Sequence, residues 1–513
     1  ASKKHKLLNG EQFTTVANEL FTYYGEEGQA VYDGTNTDWN DYIYRNGFQQ
    51  SHTINANGGT DKSQYYVSLG YTNQKGIIRA NDLERFSIKA DLTHEVNKWV
   101  KLGIATNTAK STINGIVEGG SSLGDASFAG IRMLPNVSVY NPDDITGYNI
   151  DAINRKALGR GANKTYIDNG IQNIIWALDN NVNRSTTLRS ISNIFGELDI
   201  IKGLKFRTQA GLDIALVENY MVWDAASGDG YGYGGLIDAV NTNYTNWNWQ
   251  NVLTYDVSFS ELHNLNLTAV QEYTRSQYHY TDGTVKQISD PFFTDHIITG
   301  TYGQQEVSGG KSFNGLASYL GRANYNYDSK YYLGGSIRRD GLSKLPKKNR
   351  WGTFWGVSSA WRISREQFWL DSGINEWFND LRVRGSYATL GNQNIKGNFP
   401  YLGSYGAQKY GSLNAIIWNN MGNQNLKWES TKTFDVGVDA SMFNNRLNVE
   451  LAYWSKDTKD LVLDVPTAPS LGVPNNKYTQ NVGAISNRGF ELSISGAIFQ
   501  SKDFSWNADL NFS

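Results

Sequence analysis

The residue types that carry chemistry are present, but they are not spaced for catalysis. The six histidines (His5, His52, His94, His263, His279 and His296) are scattered, and none pairs at the spacing of an HExxH metal site. The chain has no cysteine, which excludes disulfides, thiolate nucleophiles and Cys-ligated zinc. Gly230-Tyr231-Gly232-Tyr233-Gly234-Gly235 has the form GxGxxG. A dinucleotide site needs a strand before that turn and a helix after it, so the segment reads as a Gly/Tyr loop. Asp33, Asn36 and Asp38 offer oxygen ligands without EF-hand spacing or a terminal Glu, and read as a solvated turn. A carboxylate pair for glycoside hydrolysis needs only proximity in space, and nothing singles one out. No catalytic residue, cofactor or metal is expected.

The better candidates lie in the segment 217–244, read as a long loop that carries Tyr220, Trp223, Asp224, Asp229, Tyr231 and Tyr233. Tyr220, Trp223, Asp224, Tyr231 and Tyr233 are the expected substrate-binding residues. Aromatic rings stack on the apolar faces of sugars, and carboxylates bond hydroxyls. Tyr and Trp also suit a membrane interface, having an apolar body and a polar tip. Trp247 and Trp249 are read as interface residues only. Trp351, Phe354, Trp355, Trp361, Phe368 and Trp369 are assigned to the interfacial girdle and to packing at one end of the sheet.

These residues need a scaffold, and the dominant scaffold signal is alternation. Tyr65, Val67, Leu69 and Tyr71 oppose Tyr66, Ser68, Gly70 and Thr72. Phe434, Val436, Val438 and Ala440 oppose Asp435, Gly437 and Asp439. Sixteen such strands are expected, near 50–58, 63–74, 84–94, 98–110, 186–200, 204–216, 245–258, 262–277, 314–327, 330–340, 350–364, 381–391, 428–441, 446–457, 486–498 and 502–512. Most run longer than the ~5–6 residues of a soluble sandwich and can cross a bilayer at a tilt. Short polar turns alternate with long connections at 111–185, 217–244, 278–313, 392–427 and 458–485, with a short helix expected in 365–380. One end of the sheet is trimmed and the other elaborated, as in outer-membrane barrels with short periplasmic turns and long extracellular loops.

Composition agrees. The chain is 39% hydrophobic and contains no run of eighteen apolar residues, which excludes a helical membrane protein but not a barrel with one lipid face. Aromatic residues reach 13% and proline only 8 residues. A net charge of −2 gives no basic footprint for nucleic acid. The fold class is all-β, a large antiparallel transmembrane barrel. Residues 1–47 are expected to form a short helix, with Asn9 and Gln12 as a capping box, and an extracellular loop. Residues 48–513 are expected to supply the barrel strands.

Several segments, taken in order, resemble one family. They are Thr37-Asp38-Trp39-Asn40-Asp41-Tyr42-Ile43, Tyr65-Tyr66-Val67-Ser68-Leu69-Gly70-Tyr71, Ser359-Ala360-Trp361-Arg362-Ile363-Ser364, Leu381-Arg382-Val383-Arg384-Gly385-Ser386-Tyr387, Asn425-Leu426-Lys427-Trp428-Glu429 and Asn481-Val482-Gly483. The set resembles SusC/RagA TonB-dependent transporters of Bacteroidetes outer membranes. The resemblance implies a barrel of about 22 strands, of which these are about sixteen, and a plug and TonB box that match nothing here. It also implies a SusD-like lipoprotein lid, coupling to the TonB complex through the plug, and import of an oligosaccharide or peptide. Ala1-Ser2-Lys3-Lys4 opens without an apolar leader and Ser513 falls at or in a strand, so a fragment is expected. The rival readings are a closed sixteen-stranded porin or surface adhesin, and a secreted all-β carbohydrate-active protein.

Overall fold

The computed structural model describes residues 6–26, 29–115, 126–165, 167, 171–289 and 302–513. His5 and His296 lie outside them. One antiparallel sheet of 16 strands dominates, and its neighbours follow chain order throughout. It opens with β1 (Phe48–Gly59), β2 (Ser63–Lys75), β3 (Asp82–Glu95) and β4 (Val100–Asn114). The tall strands follow: β5 (Val182–Ile201), β6 (Leu204–Trp223), β7 (Leu236–Phe259), β8 (His263–Ile288) and β9 (Tyr302–Tyr327). Then come β10 (Tyr331–Leu342), β11 (Trp351–Arg362) and β12 (Phe378–Gly391). A small hairpin, β13 (Ser404–Tyr410) and β14 (Leu413–Asn420), intervenes before β15 (Ser430–Met442) and β16 (Leu447–Lys459). A second hairpin, β17 (Val462–Pro466) and β18 (Lys477–Asn481), precedes β19 (Ala484–Gln500) and β20 (Ser505–Phe512). Among the described residues β1 pairs only with β2 and β20 only with β19, so these sixteen strands do not close into a ring.

Six helices decorate the connections: α1 (Gly10–Tyr23), α2 (Trp39–Ile43), α3 (Ala126–Arg132), α4 (Ile174–Asn180), α5 (Gly228–Tyr231) and α6 (Gln367–Asp371). The α1 capping box forms as expected: Asn9 Oδ1 accepts from Gln12 N at 2.8 Å and Gln12 Oε1 from Asn9 N at 3.2 Å. The helix α6 falls in 365–380, as expected. The helices α2, α3 and α4 are additions to segments read as loop.

The short turns explain themselves locally. Asp328 and Ser329 both sit at positive φ, and Lys330 N donates to Tyr327 O at 2.9 Å, which makes a type I′ turn whose twist matches the strands it joins. Asn444 and Asn445 take the same left-handed region, which asparagine tolerates.

Register fixes two faces. Ile54, Leu69, Ile88, Thr108 and Ser190 are cross-strand neighbours in turn, on one face. The same face carries Val67, Val436, Leu451 and, across from Val449, Ile494. Most of these apolar side chains are exposed, as only a lipid-facing surface requires. The opposite face carries Ser87, Lys89, Asp91, Gln209, Gln250, Glu272, Arg384 and Asp435.

The apolar band has two aromatic borders. At the short-turn end Phe259, His263, Tyr327, Tyr331 and Trp361 form a continuous row, with ring centroids 4.9 to 6.5 Å apart. At the other end Trp249 stacks on Tyr273, the Tyr273 and Tyr319 hydroxyls meet at 2.9 Å, and Tyr319 stacks on Trp351. From His263 to Tyr273 the strand advances about 33 Å, roughly 23 Å of height at a ~45° tilt. That matches the apolar band of an outer-membrane barrel, ~25 Å.

The buried cores lie elsewhere, at the long-connection end. The largest joins α2, α3 and α4 through Trp39, Ile43, Val137, Ile174 and Ile175, with Phe13 of α1 packed against it. A second gathers Leu342, Leu345, Phe354, Ile395, Leu426 and Trp428. Phe354 is therefore not a girdle residue. It lies on the polar face and fills this core, edge-on to Trp428 at 5.3 Å. A third holds Tyr220, Val222, Ile237 and Val285.

The face assignment predicts a contrast. Val436→Arg should cost roughly 2–4 kcal/mol, since it sets a charge on the lipid face. Ser493→Arg, opposite Glu450 on the polar face, should stay within about 0.5 kcal/mol of wild type. Equilibrium unfolding of the intact protein in lipid vesicles compares them, and equal penalties would invalidate the faces.

Candidate functional site

The segment 217–244 is not one long loop. Residues up to Trp223 belong to β6 and residues from Leu236 belong to β7, leaving 224–235 as the connection. The expected loop 278–313 is likewise shortened by β8 and β9. Hydrophobic alternation fades in these stretches because they rise beyond the apolar band. There the outer face holds Asn241, Asn243 and Thr245, and the strand pattern loses its apolar half while the backbone ladder continues.

This separates the five expected site residues. Tyr220 faces outward and is 7% exposed, packed among Val222, Ile237 and Val285 with the Arg184 guanidinium 5.4 Å from its ring. It is a packing residue. Asp224 is a turn former: its Oδ1 accepts from Ala226 N at 2.8 Å and its N–H donates to Asn181 Oδ1 at 3.0 Å. Trp223 points to the polar face, 6.0 Å from the Tyr233 ring, and Tyr231 and Tyr233 are exposed. The Lys286 ammonium stands 5.6 Å from the Tyr233 ring. The GxGxxG stretch overlaps α5, a single turn, and Gly234 and Gly235 take positive φ. Asp33 bonds Thr35 N, Asn36 bonds Gly10 N and Asp38 caps α2, so each of the three is used in local structure.

Below Trp223 the polar face of β6 to β9 forms a wall. Tyr244 and Tyr278 are cross-strand partners with rings 5.1 Å apart, and Tyr280 follows at 5.5 Å. Above them Asp238 accepts from Thr284 Oγ1 at 2.7 Å, and Asp282 accepts from Ser308 Oγ at 3.1 Å. Lys286 pairs with Glu306 at 3.3 Å. The wall therefore alternates flat apolar faces with carboxylates and hydroxyls. Below it a polar row runs from β6 to β10. Gln209 donates to Gln250, Gln250 to Glu272 at 2.7 Å, and Arg338 to Glu272 at 3.2 Å and to Asp340 at 2.8 Å. Near the short-turn end a cavity of about 620 Å³ is lined by Asp256, Asn266, Asn324, Arg382, Arg384 and Asp435, among others. Sequence reading missed this wall because it took 278–286 for loop. The usable signal was the even-numbered series Tyr278, Tyr280, Asp282, Thr284 and Lys286, polar or aromatic at every second position.

The connection 224–235 is pinned from the side. Arg155 Nε donates to Ala226 O at 3.0 Å, and the Arg155 carbonyl accepts from Ser227 Oγ at 2.9 Å. Its guanidinium is bidentate on Asp144, at 2.8 and 3.1 Å. That guanidinium, with Thr146, holds the Asp144 carboxyl well below the usual carboxylate range. Tyr148 donates to Asp179 at 2.9 Å, and burial beside that carboxylate pushes its phenol up to about 12. Arg79 also binds Asp179, at 2.6 Å, tying the connection between β2 and β3 to α4.

The fold and the polar interior define a large β-barrel of the outer-membrane kind. The chain belongs to the TonB-dependent receptor-like β-barrel family, whose model matches residues 140–513, and within it to the SusC/RagA type. TonB-dependent receptor P3 of Formosa agariphila is 30% identical over 518 residues, covering 99% of this chain and 49% of that protein. TonB-dependent receptor SusC of Bacteroides thetaiotaomicron is 26% identical, covering 99% and 50%. The RagAB peptide transporter superposes with a TM-score of 0.78 at 24% identity, over 98% of this chain and 54% of its own. The chain thus spans about half the length of the curated relatives it matches.

The clamp makes a prediction with a sign. Asp144 has a lowered pKa in the folded protein, so its contribution is full above the unfolded value near 3.9 and declines as pH falls towards the folded one. At pH 3 the ion pair should still be formed. Pepsin at that pH should spare residues 141–159 in the intact protein and cut them in Asp144→Asn. Equal cleavage of both would show that the pair does not hold this segment.

Proposed function

We propose that this chain is the barrel of an outer-membrane importer for oligosaccharides or, as a second substrate class, peptides. The observation that carries the reading is the wall on β6 to β9. Trp223, Tyr233, Tyr244, Tyr278 and Tyr280 offer stacking faces, and Asp238, Asp282 and Glu306 offer acceptors on the same polar face. Sugars and peptides share that demand, an apolar patch beside many hydrogen-bonding groups.

In this reading the long connections face the exterior and the short turns the periplasm. A SusD-like surface lipoprotein would close over the connections and trap ligand above the wall. A plug domain, in the half of the relatives' length not spanned here, would occupy the interior and couple to the TonB complex. The lower cavity, with Arg382, Arg384 and Asp435, supports such a docking role. The outer edges of β1 and β20, which pair with no strand among the described residues, argue against a sixteen-stranded porin closed on itself.

Two experiments test this. In the intact protein, with a ligand found by screening glycan and peptide pools, Trp223→Ala and Tyr278→Ala should each weaken binding about two- to tenfold. Tyr220→Ala should instead lose roughly 3 kcal/mol of stability and leave affinity unchanged. Affinity that follows Tyr220 and ignores Tyr278 would move the site off the wall.

Sidedness is tested by single cysteines, for which the absence of native Cys in this chain is convenient. Ser227 is buried and Gly234 is left-handed, so the exposed Asp229 is the better reporter. From Asp229 to Asn445 the chain crosses β7, β8, β9, β10, β11, β12 and β15, an odd number. Asp229→Cys should react with an impermeant maleimide on intact cells, and Asn445→Cys only after the outer membrane is breached. Labelling of both on intact cells would contradict the topology.

A further inference from the structure

The lipid-facing side of β7 to β10 carries a groove that packing does not require. Its floor is Ala269, Gly321, Ala323 and Gly335, which are neighbours by register. Its walls are Leu253 and Ile337, and it measures about 650 Å³ in its upper part. A Cβ built on Gly335 would meet nothing within 4 Å, and one on Gly321 nothing nearer than Ile337 Cγ2 at 3.8 Å. Neither glycine has positive φ. These glycines therefore serve neither turn nor tight packing, and the space above them is open.

The upper end of the groove meets the aromatic border on the long-connection side. Tyr319, Gln271 and Arg339 line it there. Arg339 is exposed on the outer face with its guanidinium 5.5 Å from the Trp351 ring, and has no carboxylate partner among the described residues. Arg275 and Lys311 share this face above the same border. At the opposite border Phe259, Leu265, Tyr327, Leu333 and Trp361 bring no charge, His263 stands in the ring row, and the charge held there by Tyr331 and Trp361 is the Glu366 carboxylate. The outer face thus sets its cations at one membrane interface, directly above an apolar slot.

We propose that the groove and Arg339 bind a phosphate-bearing, multiply acylated lipid of the outer leaflet. An acyl chain lies over Gly321 and Gly335, and the phosphate accepts hydrogen bonds from the Arg339 guanidinium. Charge complementarity selects the occupant, because an uncharged acyl lipid would fill the slot and leave the guanidinium without an anion. The inference rests on the outward placement of the long connections proposed above.

The test is native mass spectrometry of the intact detergent-extracted protein, titrated with diphosphoryl lipid A and with the same lipid stripped of phosphate. The wild type should retain the phosphorylated form about fivefold better, and Arg339→Gln should abolish that preference. Gly335→Leu should fill the slot and reduce retention of both forms. Ala323→Leu serves the same purpose should the first variant fail to assemble. Equal retention of the two lipids by wild type, or variants indistinguishable from it, would overturn the site. Cysteine labelling reports the placement separately, so a wrong orientation and a vacant groove give different results.

Discussion

Inside a hydrocarbon layer no water is available to the backbone, so each peptide N–H and C=O in a strand must find its partner in a neighbouring strand. The rest of this structure depends on that constraint. It produces sixteen strands in unbroken chain order, because only adjacent antiparallel pairing satisfies each strand as the next is laid down. It also fixes register, and register decides which side chains meet lipid and which meet water. Val436 and Asp435 differ by one position along the chain and face opposite surroundings.

A soluble protein hides its apolar residues at the centre. Here they form the outer surface of the sheet, and the compact cores sit in the connections. Trp39 and Ile43, Ala126 and Ala129, and Ile174 and Ile175 pack three short helices into one unit that no sheet residue could build alone. Such helices have too few hydrogen bonds to persist in water unaided, and tertiary packing stabilises them. The Arg155–Asp144 pair extends this unit to the connection between β6 and β7.

How far a sequence reveals such a molecule depends on where its apolar alternation survives. Within the lipid band it survives, and the strand around Val67 and Leu69 or around Val436 and Val438 can be read directly. Asn9 and Gln12 likewise reveal a helix start, because capping is local chemistry. Above the band the pattern disappears for strands such as β7, where Asn241 and Asn243 replace the outward apolar residues. Tyr220 and Trp223 then read as neighbours in a flexible loop, although they point to opposite faces of one strand. Composition points to aromatic and acidic residues in this stretch, but only register separates Tyr220, turned outward, from Tyr278 on the polar face. Phe354 was misplaced for a similar reason. An aromatic residue among tryptophans reads as girdle, and only the parity of β11 turns it inward against Trp428.

The height of β6 to β9 has a consequence for recognition. Strands β8 and β9 are each 26 residues long, far more than a bilayer crossing needs. The excess carries Tyr278, Tyr280, Asp282 and Thr284 on backbone that is hydrogen-bonded on both sides. Binding residues on loops must surrender conformational entropy when a ligand arrives, which subtracts from affinity. On this wall the main chain is already ordered by folding, and only side-chain rotamers remain to be fixed. In the importer proposed above, the wall would thereby meet its ligand as a preorganised surface, where flexible segments usually do the recognising.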